Sequence, residues 1–561
     1  MLDIECDLEQ RQRVQLQIFH EGRIIADIGD IDARRLGHYF FDFLPDFGRL
    51  RFFHFVLASY FLVFIMLTHG GKATWTLGKN PHVEGDYAVD AAAEFTMTID
   101  GRAAMPDRTV EVINPATEIV LSDCPDCATD HVDRAMMAAE RAFCGWRSDA
   151  DARRDRLRDC AQAVKPHLRD LSELLTLEQG KPRRNALHEI TGAIHWLERT
   201  ANTELPVDVL RDDEGGRVEV HRRPLGVVAA ITPWNYPVIL AIWKIAPALL
   251  AGNTVVLKPS PHTPLTTLRL GEILRQVLPA GVLNVISGAD KIGAYMTTHP
   301  TVRKISLTGS IATGKAVAVA SGPDLKRLVL ELGGNDPAIV LPDVDVEAVA
   351  EGIFWGAFEN SGQVCQAIKR LYVHDEVYDS LLEAMVERAE NVKMGDPMAP
   401  GTQLGPVNNR PQFDRVLQLV ADARQRGARV VAGGEAPDGP GYFYPPTLVT
   451  DIPDDAPLVT QEQFGPVLPI LRYTNVDDAI RRANATRFGL GGSVWTKDTE
   501  HGAQLVSQLE CGTGWINQHN TLEPDAPLGG MKWSGMGYQN GRWGLDEFCA
   551  LQVVSRKPNP K

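Results

Sequence analysis

Residues 227–258 read VVAAITPWNYPVILAIWKIAPALLAGNTVVLK, and this stretch decides the fold. A short apolar run from Val227 to Ile231 leads into the turn Thr232-Pro233-Trp234-Asn235-Tyr236-Pro237. A mostly apolar helix over 237–251 follows, and then a second run from Thr254 to Lys258. Two apolar strands joined through a helix pair in parallel by a right-handed crossover, in a sheet covered on both faces. Downstream, the pattern predicts a helix over 265–276 and strands at 282–286 and 304–307. A second series opens near Pro337, with AIVL at 338–341, helices over 346–360 and 377–391, and strands at 429–432, 468–473 and 493–495. The chain therefore reads as two α/β domains. It has no internal repeat, and the glycine-rich stretch 529–537 reads as a loop.

Upstream, strands at 110–113 and 119–121 flank an Asn114-Pro115 turn. Asp130 is positioned to cap a helix running to Cys144. Two charged amphipathic helices between 149 and 179 stop at Gly180-Lys181-Pro182, as expected where Gly and Pro follow a helix end. A helix over 186–201 and an exposed strand over 217–222 complete this part.

The whole chain has 561 residues, 57 Lys+Arg against 72 Asp+Glu, a net charge of −15. That balance argues against a nucleic-acid binder, which needs a basic face for phosphates. Eight cysteines are too few for a disulfide scaffold, so reduced thiols in the cytoplasm are expected. Cys124-Pro-Asp-Cys127 has no second pair at zinc-site spacing, and no metal is expected. Residues 1–96 differ in texture and read as an atypical extension. The apolar run 52–68, flanked by Arg49, Arg51 and Lys72, sits at the lower length limit for a membrane helix. A leader without catalytic role, a start at Met97, a membrane or interfacial anchor and a packed extra segment are the readings open for it. Membrane association is expected only through 52–68.

Five local patterns carry chemistry. Asn235, after a strand and before a helix, has an amide N–H suited to a developing oxyanion, or else caps the helix. Lys258 and Ser260 end a strand where ribose or phosphate oxygens can be bound. Gly309-Ser310-Ile-Ala-Thr-Gly314-Lys315-Ala316 nearly fits a phosphate loop, but Ala316 lacks the metal-binding hydroxyl, which excludes a nucleotide hydrolase. Glu331, before Gly333-Gly334, reads as a general base or a turn-capping carboxylate. Cys365 follows Gly362-Gln363-Val364 and reads as a nucleophilic thiol or a small buried hydrophobe. Together they give the parts of a covalent dehydrogenase: nucleophile, oxyanion donor, base and dinucleotide pocket.

These residues carry a family resemblance. From about Ile113 to Val554 the chain resembles the NAD(P)-dependent aldehyde dehydrogenase superfamily. The motifs are Asn114-Pro-Ala-Thr, Glu178-Gln-Gly-Lys181-Pro182, TPWNYP at 232–237, Lys258-Pro-Ser260, and Leu307-Thr-Gly309-Ser310. LELGGNDP at 330–337, GQVC at 362–365, Glu462-Gln-Phe464-Gly-Pro466 and PLGGMKWSGMG at 527–537 complete them. The resemblance implies a Rossmann-like cofactor domain over 97–330 with an oligomerising hairpin near 205–223. It also implies a catalytic domain over 331–525 and a C-terminal loop and oligomerising strand over 526–561. A homodimer or homotetramer is expected.

By the same resemblance Cys365 is the nucleophile, Asn235 the oxyanion donor and Glu331 the base that activates water to hydrolyse a thioester. Thr232, Pro233, Trp234, Lys258, Ser260, Gly309, Ser310, Gly314, Leu332, Gly333, Glu462 and Phe464 are implied cofactor contacts, with residues 309–314 as a turn under the pyrophosphate. Lys244 and Glu178 match positions of either proton-relay or structural role. Pro261 stands where many NAD-preferring members carry Glu, so NAD or NADP is permitted. Tyr236, Leu240, Trp243, Val364, Gln366 and Leu528 align with the substrate tunnel, a mostly apolar set without an arginine to clamp an anion. Medium-chain aliphatic or aromatic aldehydes are therefore expected over carboxylate-bearing semialdehydes. The alternatives are acyl transfer to coenzyme A and a non-catalytic structural protein on the same fold. Lys369 and Arg370 read as opening the strand after Cys365.

Overall fold

The structure, a computed structural model, describes residues 94–558 and the backbone of four strands before them. The chain divides into two compact units, Met1–Ala88 and Val89–Lys561. In the first, Leu2–Leu8, Gln12–Ile18, Arg23–Asp27 and Thr74–Thr76 form one antiparallel sheet in that order. The apolar run 52–68 lies outside the described residues. Among the described residues no helix is long and apolar enough to cross a membrane.

The second unit holds two large sheets. The first orders its strands Gly535–Met536, Arg327–Glu331, Val302–Thr308, Val227–Ile231, Thr254–Lys258, Leu283–Val285, Met97–Ile99 and Arg102–Ala104. Its five inner strands are parallel. Val227–Val228-Ala229-Ala230 and the whole Thr254–Lys258 strand are buried, as crossover helices on both faces require. The connecting helix Pro237–Leu250 buries every residue but Ile239, so it lies inside the domain. Proline at its first turn costs no hydrogen bond there.

The second sheet orders Arg429–Ala432, Thr447–Thr450, Val467–Tyr473, Ile368–His374, Asp336–Val340, Gly491–Trp495 and Thr513–Ile516. All its pairings are parallel except the first. A three-stranded antiparallel sheet joins Cys549–Arg556, Gly216–Pro224 and Asp208–Asp213, with Val220 opposite Val553. Leu551 and Val553 turn outward on it, 66% and 65% exposed.

Three local expectations change. The helix expected from Asp130 spans Thr129–Trp146 with Ala128 at its cap position; Asp130 sits in the first turn, where a carboxylate suits the helix dipole. The helix expected over 186–201 starts at Arg183, because Pro182 takes the cap position. The boundary set at 96 falls eight residues beyond the unit boundary at Ala88. Phe95 and Met97 are buried, Thr96 donates to the Glu272 carboxylate at 3.0 Å, and Met97–Ile99 pairs with the sheet through Thr98 and Val285. Three residues are too short for a periodic signal, which is why this strand escapes a pattern reading.

Candidate active site

From Val227–Ile231 the first sheet grows outward through Thr254–Lys258 to Leu283–Val285, then resumes on the other side with Val302–Thr308. The strand order reverses between Val227–Ile231 and Val302–Thr308, and ligands bind parallel sheets in the crevice at that point, beyond the carboxyl ends. Thr232-Pro233-Trp234, Lys258-Pro259-Ser260 and Gly309-Ser310 all follow carboxyl ends of these strands.

Ser310 caps the helix Ile311–Ser321, its Oγ accepting from the Thr313 N–H at 3.1 Å. Gly314 is not part of a turn with Gly309: it sits inside that helix. A Cβ there would meet Leu332 Cδ1 at 2.5 Å, so this glycine serves close helix–strand packing. Lys315 lies over the Trp533 ring at 3.2 Å and has left any phosphate-loop position. Ser260 Oγ accepts from the His262 N–H. Lys258 is 3% exposed, donates to the Pro259 carbonyl at 3.2 Å, and is held below its ordinary pKa by burial. Thr232 Oγ1 and Glu331 Oε1 are buried without a protein partner. Such orphaned polar atoms mark a place for a polar ligand, and a dinucleotide fits them.

Cys365 sits on a loop whose backbone is specially shaped. Asn360, Ser361 and Gly362 have φ of 49°, 55° and 72°, three left-handed residues in a row. At Gly362 a Cβ would lie 2.3 Å from the Gly465 carbonyl, so only glycine fits. The loop is pinned from several sides. Asn235 Nδ2 donates to the Gln363 carbonyl at 2.9 Å, and Asn360 Nδ2 donates to the Asn235 carbonyl at 3.2 Å. Ser361 Oγ donates to the Gly405 carbonyl at 2.7 Å. Asn235 is itself fixed by Lys181, whose Nζ donates to its carbonyl at 2.8 Å and to Glu189 at 2.6 Å. Asn235 keeps a second amide N–H beyond the one bound to Gln363.

Lys369 was expected only to open a strand. It does lie in Ile368–His374, but its side chain returns beneath the loop. Its Nζ donates to the Val364 carbonyl at 2.8 Å and to the Cys365 carbonyl, and pairs with Glu462 at 3.2 Å. Glu462 accepts from the Gly334 N–H at 3.0 Å, and a Cβ on Gly333 would meet its Oε2 at 2.1 Å. Phe464, with φ of 48°, meets Trp234 edge-on at 5.2 Å between ring centres. Removing one member of a buried pair leaves the other charge uncompensated. Lys369→Met is therefore expected to cost about 3 kcal/mol of stability. Thermal unfolding checks this, and a melting temperature equal to the parent's would refute it.

Glu331, 4% exposed, ends the strand Arg327–Glu331. Burial pushes its carboxyl up to about 8, opposed by the Lys244 ammonium. Lys244 is fully buried, donates to Thr308 Oγ1 at 2.7 Å, and is pulled down to about 7 by burial. The Cys365 thiol is pushed up to about 12, first by burial and then, against the pull of Lys369, by Glu462, Asp336 and Glu331. Glu178 accepts from the Leu265 and Thr266 N–H groups at 2.7 and 2.9 Å, so it caps the helix Leu265–Leu274. Cys124 and Cys127 are buried and pushed up to about 12 by burial. Among the described residues no group of three His, Cys, Asp or Glu is arranged to hold a metal.

Leu240, Trp243 and Leu528 form an apolar cluster with Tyr236, Trp196, Ile239 and Leu522. Val364 and Gln366 are not in it. They flank Cys365, with Gln366 buried and its carbonyl held by His519 Nε2 at 2.8 Å. One half-buried carboxylate at the cluster, Glu359, was absent from the expected set. It accepts from Tyr236 Oη and Asn520 Nδ2, both at 3.4 Å. Nothing in its local sequence marks it, since both contacts come from segments more than a hundred residues away.

With this geometry in view, comparison with known proteins is decisive about class. The aldehyde dehydrogenase family model matches residues 103–554, and the chain belongs to that family. It is 38% identical over 475 residues to a chloroplastic aminoaldehyde dehydrogenase of Arabidopsis thaliana, covering 82% of this chain and 95% of that one. It is also 38% identical over 467 residues to phenylacetaldehyde dehydrogenase of Pseudomonas fluorescens, covering 80% and 93%. An NAD+ complex of aldehyde dehydrogenase from Bacillus cereus superposes with a TM-score of 0.82 at 34% identity, over 86% of this chain and 99% of that one. The protein is an NAD(P)-dependent enzyme that oxidises an aldehyde to the carboxylic acid.

Proposed function

We propose that Cys365 is the nucleophile of this oxidation, Asn235 its oxyanion donor and Glu331 its base. The observation that carries the reading is the Cys365 loop: a left-handed turn clamped by Asn235 on one side and Lys369 on the other, with the unpartnered Glu331 carboxylate near enough to act on the thiol electrostatically. Glu331 takes the thiol proton, and Sγ attacks the aldehyde carbon to give a thiohemiacetal. The free Asn235 N–H and the Cys365 backbone N–H stabilise its oxyanion. When bound, NAD(P)+ would supply the hydride acceptor for this oxidation. Loss of hydride leaves a thioester on Cys365, and Glu331 then deprotonates the water that cleaves it. Lys258, Ser260, Thr232 and the cap at Ser310 would hold the adenosine and phosphate side. Glu462, Phe464, Trp234 and the Leu332-Gly333 backbone would hold the nicotinamide side, and Gly314 would act by packing. Pro261 offers no carboxylate to repel a 2′-phosphate, so both dinucleotides are admitted.

Aldehydes enter past Tyr236, Leu240, Trp243 and Leu528, and medium-chain aliphatic or aromatic substrates suit that wall. The outward Leu551 and Val553 favour a homodimer or homotetramer built on the three-stranded sheet. The seven described cysteines are unpaired, which suits a reducing compartment, and the proposal places the enzyme in the cytoplasm. The test is absorbance at 340 nm with an aldehyde panel, NAD or NADP, and no coenzyme A. Turnover without coenzyme A is the expected result. Reduction of the cofactor only on adding coenzyme A would replace the hydrolytic reading by acyl transfer.

A further inference from the structure

We infer that Glu359 selects aldehydes carrying a cationic group, a primary ammonium, at the end remote from the carbonyl. The inference rests on the proposed site and adds the class of substrate. The two relatives, equally identical to this chain, are named for aldehydes as different as aminoaldehydes and phenylacetaldehyde, so likeness leaves the substrate open. The wall of the tunnel has to decide it.

Glu359 follows the helix Val346–Phe358 and precedes the left-handed run that leads to Cys365. Its carboxylate bridges Tyr236, a member of the apolar cluster, and Asn520, two residues before Leu522 of the same cluster. The Tyr236 hydroxyl is held well above its ordinary pKa by burial, then by the charges of Glu359, Glu189 and Cys365, so it stays a donor to the Glu359 carboxylate. Both contacts to Glu359 are long. At 3.4 Å each is well beyond the 2.7–3.0 Å of a strong hydrogen bond to a carboxylate, whose two oxygens offer about four acceptor positions.

The nearby cation does not neutralise this group. Lys181 Nζ is spent on Glu189 at 2.6 Å and on the Asn235 carbonyl, and lies 3.6 Å from the centre of the Tyr236 ring. Lys181 thus forms its ion pair with Glu189, while among the described residues Glu359 has no ion pair within 4.0 Å. An apolar chain packs against the Leu240, Trp243 and Leu528 cluster whatever its end, but the half-buried carboxylate beside that cluster repels an anionic chain end. An ammonium forms a charge-assisted hydrogen bond there.

Three near-isosteric aldehydes test this: butanal, 3-aminopropanal and succinate semialdehyde, offered to the full-length protein with NAD or NADP. Turnover of butanal tests the dehydrogenase reading itself. The ratio of kcat/KM for 3-aminopropanal to that for butanal tests Glu359. The parent is expected to favour the ammonium by about tenfold or more, and to use succinate semialdehyde worst. In Glu359→Gln the ratio falls to about one, and succinate semialdehyde gains on butanal. A loss of fold would lower all three rates together and leave the ratio standing. A binding arm needs no turnover: 3-aminopropanol should bind the parent more tightly than butanol in calorimetric titration, and lose that advantage in Glu359→Gln. Equal use of the ammonium and neutral aldehydes by the parent, or a ratio that survives Glu359→Gln, would overturn the inference.

Discussion

Replacing Cys365 with alanine is expected to lower kcat for aldehyde oxidation about ten-thousandfold or more, since no thiohemiacetal forms without the thiol. The neighbouring groups offer no substitute. Glu331 is a carboxylate at the end of Arg327–Glu331, and the cysteines of the core around the first sheet, Cys124, Cys127, Cys160 and Cys549, are sealed by burial. The side chain of Cys365 makes no hydrogen bond that the loop depends on. The turn is held by Asn235, Asn360, Ser361 and Lys369. The variant should therefore keep its melting temperature and still bind reduced cofactor, as a fluorescence titration would report. Oxidation by Cys365→Ala within tenfold of the parent's rate would remove this residue from the mechanism.

The second large effect falls on Glu331. In Glu331→Gln the thiol can still be acylated, slowly, but the thioester lacks its base. The expected result is a pre-steady-state burst of reduced cofactor of at most one equivalent per site, followed by a steady rate lower by about a hundredfold or more. The parent's steady-state rate should depend on pH in a stated direction. Burial raises the Glu331 carboxyl to about 8, so its basic form accumulates only as pH climbs through that value. Turnover should rise between pH 7 and pH 9 with a midpoint near 8, and the residual rate of Glu331→Gln should lose that limb. A parent rate flat across this range, or a variant that turns over without a burst, would place the water-activating base elsewhere.

The parts of this site that were legible in the sequence share one property: their chemistry is written in adjacent residues. Asn235 lies in TPWNYP, Cys365 in GQVC and Glu331 before two glycines; each is open to a bland reading by itself, and it is the family resemblance of these motifs that implies their roles. Both sheets were legible in outline because buried parallel strands are unbroken apolar runs. What was not legible depends on the fold bringing distant segments together. Lys369 reads as one more strand residue until its side chain is seen beneath Cys365. Glu359 reads as the end of a helix until Tyr236 and Asn520 close on it. Gly314 shows the converse case. It fits a phosphate-loop spacing, yet its place is fixed by the Leu332 side chain against the helix. The strand Met97–Ile99 was hidden by its length, since its identity comes from pairing with Val285.

The edge beside Glu331 has a further meaning. Residues 535–536 pair with Leu330 and Glu331, Ser534 donates its hydroxyl to the Gly333 carbonyl at 2.8 Å, and its own carbonyl receives the Leu332 N–H. That seam joins positions 201 apart in the chain. A growing polypeptide therefore contains Cys365 and Glu331 before the segment that borders Glu331 has been made. The strand that carries Glu331 therefore gains its edge partner from a segment translated 201 residues after Gly333, so its local order depends on a late-made part of the chain.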